Sequence, residues 1–287
     1  MIIKYKNSIR PVTDEDQREL ANLIHFEMHV HRHLDWCPPL DWIGRYPFLV
    51  AEEDGNIIAA LACPPDPPSV AWIRLFAADA KVSRKRVWEA LWSEASAQLM
   101  DSEGLVWAAA IPLQPWFKPL LEGSGFEETQ RVVLMDWLHG NIPPKKPHPD
   151  VLIKPMLMGN LKAVGHIDEV SFAPLWRNSL AALEYAFSQA VVATIVVLDK
   201  QVVGYQISTA TPMGGHLARL AVHPEHQGRG IGYALLRDLL QQFEGRDGER
   251  VTVNTQHDNL ASLALYRKAG FRSISEIYPV YQYPFAS

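Results

Sequence analysis

In Val222-His-Pro-Glu-His-Gln-Gly-Arg-Gly-Ile-Gly-Tyr233 a β-branched run ends and a helical run begins, with Gly228, Gly230 and Gly232 between them. The start of a helix presents unpaired backbone N–H groups and the positive end of its dipole. Glycines there let an anion approach without a Cβ in the way, so the stretch reads as a phosphate-holding loop. The spacing is not the GxGxxG of a dinucleotide fold, and no Walker lysine follows. A second group of chemically capable residues is His25-Phe-Glu-Met-His29-Val-His31-Arg-His33. On a helix, His25 and His29 would stand one turn apart and reach a metal shared with His33. The run supplies no closing ligand set, and it is read instead as a solvated helix end with no metal.

The elements that must position the loop follow from apolar periodicity. Residues 191–198 and 202–207 are apolar and β-branched, and the turn residues Asp199-Lys200-Gln201 between them predict a hairpin. Residues 216–222 read as a third strand and 250–255 as a fourth, with a helix between them carrying Ile231, Ala234, Leu235, Leu239 and Phe243 on one face. A further helix is expected after Asp258 as its amino-terminal cap, ending at Gly270. Residues 157–171 and 175–188 read as two helices ahead of the sheet, giving a mixed α/β domain. Residues 271–285 are expected to form two short edge strands, because Pro279 and Pro284 interrupt them.

Residues 140–150 hold four prolines and no apolar periodicity, which marks a linker near the midpoint. Across it the chain repeats itself. Ile9-Arg10-Pro11 matches Ile153-Lys154-Pro155 (153 − 9 = 144), and Asp54-Gly55-Asn56-Ile57-Ile58-Ala59 matches Asp199-Lys200-Gln201-Val202-Val203-Gly204 (199 − 54 = 145). Arg74-Leu75 and Gly125-Phe126 match Arg219-Leu220 and Gly270-Phe271 at the same offset of 145. One offset held over most of the chain predicts two diverged copies of one fold, residues 1–140 and 151–287, joined by 141–150.

Composition narrows the function. The chain has 287 residues, 48% hydrophobic and 21% charged, and its net charge of −5 offers no basic field for nucleic acid. No apolar run approaches the roughly 18 residues that span a bilayer, and the first residues lack the apolar core of a signal peptide; no membrane partner and a cytoplasmic location are expected. Cys37 and Cys63 are too few for a disulfide scaffold and are expected to be small buried hydrophobes.

With its preceding strand, the glycine loop resembles the acyl-CoA signature of the GNAT superfamily of N-acetyltransferases. That signature is Gln or Arg, two residues, Gly, one residue, then Gly or Ala, and Gln227, Gly230 and Gly232 fill it. A second block, Asn254-Thr-Gln-His-Asp-Asn259-Leu-Ala-Ser262-Leu-Ala-Leu-Tyr266-Arg-Lys-Ala-Gly270-Phe271, follows in the family's order. The resemblance covers about residues 153–283, and the repeat carries it into the first half. It implies two tandem GNAT-like domains, each a twisted, mainly antiparallel sheet flanked by helices, with the first degenerate.

The same resemblance implies acetyl-CoA as co-substrate and no metal. The strand residues Leu220, Ala221 and Val222 would face pantetheine and the oxyanion. Gln227, Gly228, Arg229, Gly230, Ile231 and Gly232 would hold the pyrophosphate, and Asn254, Asn259 and Ser262 complete the cofactor contacts. Tyr266 would protonate the departing thiolate as an amine attacks the thioester directly. Relatives acting on protein amino termini carry a glutamate base where Asn254 stands here, so His216, an imidazole able to accept a proton near neutral pH, is the expected base. Phe172, Trp176 and Arg177 would grip the acceptor, an amine of a small molecule or peptide. The alternative is a silent acyl-CoA sensor. In the first copy Lys85, Val87 and Leu121 stand where Gly230, Gly232 and Tyr266 stand in the second, and Gln114 where Asn259 stands, so that copy is expected not to transfer acetyl.

Overall fold

The computed structural model describes residues 8–138, 140, 144, 151–212, 214–244 and 250–285. Two compact units divide the chain: Met1–Thr129 with Pro279–Ser287, and Gln130–Tyr278. The linker expected at 141–150 lies, apart from Pro144, outside the described residues.

The first unit contains β1 (Ser8–Pro11), α1 (Gln17–Phe26), β2 (His29–Arg32), β3 (Phe48–Glu53), β4 (Asn56–Ala62), β5 (Val70–Trp72), β6 (Leu75–Ala78), α2 (Arg84–Met100), β7 (Trp107–Ala110) and α3 (Lys118–Gly123), and it gives rise to β8 (Glu127–Leu138). Strands β1, β3, β4, β6 and β2 form one sheet in that order, while β5 runs parallel to β7. Helix α2 turns Val87, Trp88, Leu91, Trp92, Ala95 and Leu99 inward, the spacing of a helix face packed on a sheet.

The second unit contains β9 (Leu152–Pro155), α4 (Leu161–Ser171), α5 (Leu180–Ser188), β10 (Val192–Leu198), β11 (Gln201–Thr211), β12 (Gly214–Val222), α6 (Ile231–Glu244), β13 (Arg250–Gln256), α7 (Leu260–Lys268) and most of β14 (Arg272–Pro284). Its sheet runs β8, β13, β12, β11, β10, β9. Helix α6 buries Leu236, Leu239, Leu240 and Phe243 against Leu217, Val251 and Val253.

Three expectations are corrected here. The division does not fall at the prolines. Residues Val132 to Leu138 of β8 pair with β13, which puts Met135 and Trp137 in the second core, and Tyr281 to Pro284 of β14 pair with β7, which puts Tyr281 in the first. A composition break is a feature of the sequence, but strand ownership is decided by which sheet the strand completes. Arg272–Pro284 is accordingly one long strand rather than two short edges; a proline removes a single donor, and β7 still pairs with four successive positions beyond Pro279.

Third, the histidine run is not a solvated helix end. Helix α1 stops at Phe26, and His29–Arg32 is extended and paired with β6. Alternation along a strand puts His29, His31 and His33 on one face. There they meet Trp116 (5.5 Å), Phe117 (4.2 Å) and Trp72 (4.6 Å) ring to ring.

This arrangement sets an acid limit on stability. Burial holds the His31 imidazole down at about 4 against an ordinary 6.5, opposed by its contact with the Ile73 carbonyl. His33 lies well below its ordinary value through burial, Arg74 and His31; His29 is lowered by burial and Arg84, against Glu27. The unfolded chain therefore takes up these protons first, so stability is full above pH 6.5 and falls as the pH drops toward about 4. His31 alone is expected to remove about 2 kcal/mol between pH 7 and pH 5. Urea unfolding at the two pH values checks this: His31→Phe should flatten the acid slope, and an unchanged slope refutes the assignment.

Candidate functional site

Strands β12 and β13 run parallel and, among the described residues, pair only at Gly215↔Val251, His216↔Thr252 and Leu217↔Val253. On its other side β12 pairs Leu217 with Ser208 and then Arg219 with Ile207, so Ala218 is an extra, bulged residue. A bulge bends its strand, and the bend falls where β12 parts from β13. Among the described residues no strand covers 219–222 on that side. Antiparallel alternation fixes which groups face the gap. His223 donates its N–H to the Val203 carbonyl (2.9 Å) and Ala221 pairs with Tyr205, so the N–H groups of Leu220 and Val222 point to the open edge. Ala221, expected beside them as a contact, spends its backbone on β11.

The edge leads into the glycine loop. The Gln227 side-chain amide donates to the Val222 carbonyl (2.9 Å), closing the loop onto the strand end. Gly228 (φ 74°) and Gly230 (φ 84°) take the left-handed conformation that glycine adopts without strain. The Ala234 N–H bonds the Gly230 carbonyl (3.0 Å), so α6 starts just after Gly230 and its first amides lack helical partners. Arg229 is exposed, whereas the Ile231 side chain is in the core and can offer a ligand only its backbone. Gly232 has a packing use as well. A Cβ there would stand 3.3 Å from Leu265 Cδ2, so the missing side chain lets α7 approach α6.

Helix α7 brings Tyr266, which is 6% exposed and packs on Phe271 (5.7 Å). Burial pushes the phenol above its ordinary value of 10, opposed by the Arg219 charge, so it is protonated at neutral pH. The cap of α7 is Asn259 rather than the expected Asp258. Its Oδ1 accepts the Ser262 N–H (3.0 Å), and its amide donates to Gln256 Oε1 (3.3 Å). Both residues thus have structural work independent of a ligand. Asn254 is exposed on β13, opposite Leu134.

His216 lies in the paired stretch before the gap. His216 Nδ1 lies 2.8 Å from Thr252 Oγ1, which also reaches the Gly215 carbonyl (3.3 Å); the tautomer in which Nδ1 donates to that oxygen leaves the Nε2 lone pair free. Burial lowers the imidazole below 6.5, so it is neutral at pH 7.

Phe172, Trp176 and Arg177 do come together, around a residue that sequence reasoning left out of the site. The Arg219 guanidinium lies 3.5 Å over the Phe172 ring and donates to the Trp176 carbonyl (2.6 Å), and Arg177 Nε donates to the Phe172 carbonyl (3.1 Å). Arg219 is held by Asp168 through Nε (2.7 Å) and Nη2 (2.9 Å). Asp168, wholly buried, also accepts the Tyr205 hydroxyl (2.5 Å) and the Asn178 N–H (2.8 Å). Trp176 is fixed from β8 by its indole N–H on Gln130 Oε1 (2.9 Å). The signal was available in the repeat: Arg74, the counterpart of Arg219, is likewise buried, paired with Asp35 (2.6 Å) and stacked on Trp42 (4.5 Å).

One trio of possible metal ligands occurs among the described residues, His223, Glu225 and His226, with ligand atoms within 4.8 Å of one another on the turn before Gln227. No helix among the described residues is long and apolar enough to cross a membrane.

Residues 161–271 match the model of the Acetyltransferase (GNAT) family. The N-alpha-acetyltransferase RimI of Mycobacterium tuberculosis is 38% identical over 76 residues, 25% of this chain and 46% of that protein. An uncharacterized N-acetyltransferase of Bacillus subtilis, YobR, is 37% identical over 62 residues, 22% of this chain and 25% of its own. The chain thus spans less than half the length of these relatives. Among solved structures, a tandem GNAT protein from the clavulanic acid biosynthesis pathway superposes with a TM-score of 0.63 at 16% identity, covering 98% of this chain and 99% of that one. A probable N-acyltransferase from Enterococcus faecalis gives 0.71 at 10% identity, covering 98% and 73%. At these identities the likeness is one of fold, and it extends over both units.

Proposed function

We propose, from the premise that residues 161–271 are a GNAT acetyltransferase domain, that the second unit transfers acetyl from acetyl-CoA to an amine of a small molecule or peptide. The observation that carries the reading is the bare edge of β12, with the Leu220 and Val222 N–H groups turned into a gap that opens beside the start of α6. Pantetheine amides would pair with that edge as an added strand does, and the free amides after Gly230 would take the pyrophosphate.

In the step itself the acceptor nitrogen attacks the thioester carbon, and an edge N–H supports the oxygen as it becomes negative. The C–S bond then breaks. Tyr266 donates its phenolic proton to the departing sulfur, and His216 Nε2 receives the proton lost by the amine, directly or through water. The acceptor would lie against Phe172 and Trp176, whose placement depends on Arg219 and Asp168.

The test is thiol release from acetyl-CoA with a panel of amines, amino acids, aminoglycosides, polyamines and peptides. Tight acetyl-CoA binding without turnover on any acceptor would make the protein a sensor. Gly230→Glu tests the loop. It forces a side chain to adopt φ 84° and brings a carboxylate to an anion site, so acetyl-CoA affinity measured by calorimetry is expected to fall by at least about tenfold. Unchanged affinity in a folded variant removes the loop from the site.

A further inference from the structure

The edge that β12 leaves bare has a counterpart in the first unit, and there it is not bare. Past the break in the central strand the offset of 145 slips to 144: Asp79 donates its N–H to the Ile58 carbonyl (2.9 Å) as His223 does to Val203 (223 − 79 = 144), so by register Phe76 stands for Leu220 and Ala78 for Val222. These residues lie on β6, which pairs with β4 on one side as β12 pairs with β11. On its other side β6 pairs with β2, from His29↔Ala78 to Arg32↔Leu75, and His33 extends the contact by donating its N–H to the Arg74 carbonyl (3.0 Å). Both units break their central strand at the same place: β5 ends at Trp72 and β6 begins at Leu75, around Ile73, the counterpart of the bulged Ala218.

We propose that β2 occupies, in the first unit, the place that the pantetheine arm takes in the second, so that the chain seals its own first cleft and carries a single acyl-CoA site. The inference rests on reading the bare β12 edge as the cofactor edge. The N–H and carbonyl groups that would receive pantetheine amides already bond to β2, and a ligand must displace a packed strand to reach them. Side chains close the space as well. His31 stacks on Phe117 and His33 on Trp72. At the offset of 145 Phe117 stands for Ser262 and Trp116 for Ala261, so two aromatic rings occupy positions where the second unit has small side chains. This cause of silence is independent of Lys85, Val87 and Leu121: restoring glycines and a tyrosine in the first unit would leave the edge covered.

Two measurements on the full chain test it. Calorimetric titration with acetyl-CoA is expected to give one equivalent per chain, and none in Gly230→Glu. Hydrogen–deuterium exchange is expected to show the amides of β2 and β6 slow with or without acetyl-CoA, and those of Leu220 and Val222 slowing only with it. A second equivalent that survives Gly230→Glu, fast exchange across β2 in the free protein, or a ligand-dependent change in β2 overturns the seal. If no acetyl-CoA binds while β2 and β6 stay protected, the seal stands and the transferase reading of the second unit falls.

Discussion

Tyr266→Phe is expected to lower kcat by about tenfold to a thousandfold while the dissociation constant of acetyl-CoA hardly changes. The hydroxyl is the only group removed, and it makes no hydrogen bond to the protein among the described residues, so the variant loses no internal contact and should unfold at the wild-type temperature. Burial keeps the phenol protonated well past neutrality, which is the state an acid must be in before the C–S bond breaks. Its proton matters only as charge develops on sulfur, so the loss should fall on kcat and spare ground-state binding. Wild-type turnover in Tyr266→Phe would return Tyr266 to the core as a structural residue. A raised acetyl-CoA dissociation constant with kcat intact would make it a binding residue instead.

The parts of the site that were legible in the sequence are those in which a short segment supplies both its own structure and its own chemistry. Gly228 and Gly230 require positive φ and stand at a helix start, and local rules are enough to see that. Tyr266 is singled out by the spacing of a family block, and the structure buries it on α7. Roles that depend on what lies across the sheet are not legible locally. Ala221 looks equivalent to Leu220 and Val222 along the chain, yet register gives its N–H to β11. Gly232 belongs to the loop by spacing, and its packing under Leu265 is set by a different helix. The histidine run fits a helix by its i, i+4 spacing and a strand by its i, i+2 alternation; pairing with β6 and the aromatic rings beyond it select the strand. The exchange of strands between the units was invisible for the same reason, since a β-branched run does not name its partner. Arg219 and Asp168 are separated by 51 positions, and nothing local joins them.

That pair carries the second large expected effect. Asp168→Ala should destabilise the second unit by about 3–5 kcal/mol, because removing one member of a buried ion pair leaves the other uncompensated. Asp168 is 0% exposed and the Arg219 side chain 13%, so water cannot replace the lost carboxylate. The substitution also strips partners from the Tyr205 hydroxyl, whose phenol burial raises well above its ordinary value, and from the Asn178 N–H. Charge and shape can be separated by a double variant. If the uncompensated guanidinium is the main cost, Arg219→Met combined with Asp168→Leu should recover most of the stability that Asp168→Ala loses, since an apolar replacement of both partners leaves no charge buried. If instead the hydrogen bonds to Tyr205 and Asn178 dominate, the double variant should be no better than the single one. Urea unfolding at pH 7 distinguishes these results, and a single variant within about 1 kcal/mol of wild type would contradict the ion pair's role altogether. Arg219 anchors Trp176 through its carbonyl and Phe172 through its ring, so the double variant should also raise the acceptor KM more than the acetyl-CoA dissociation constant. Equal changes in both would place the pair in the scaffold alone, outside the acceptor wall.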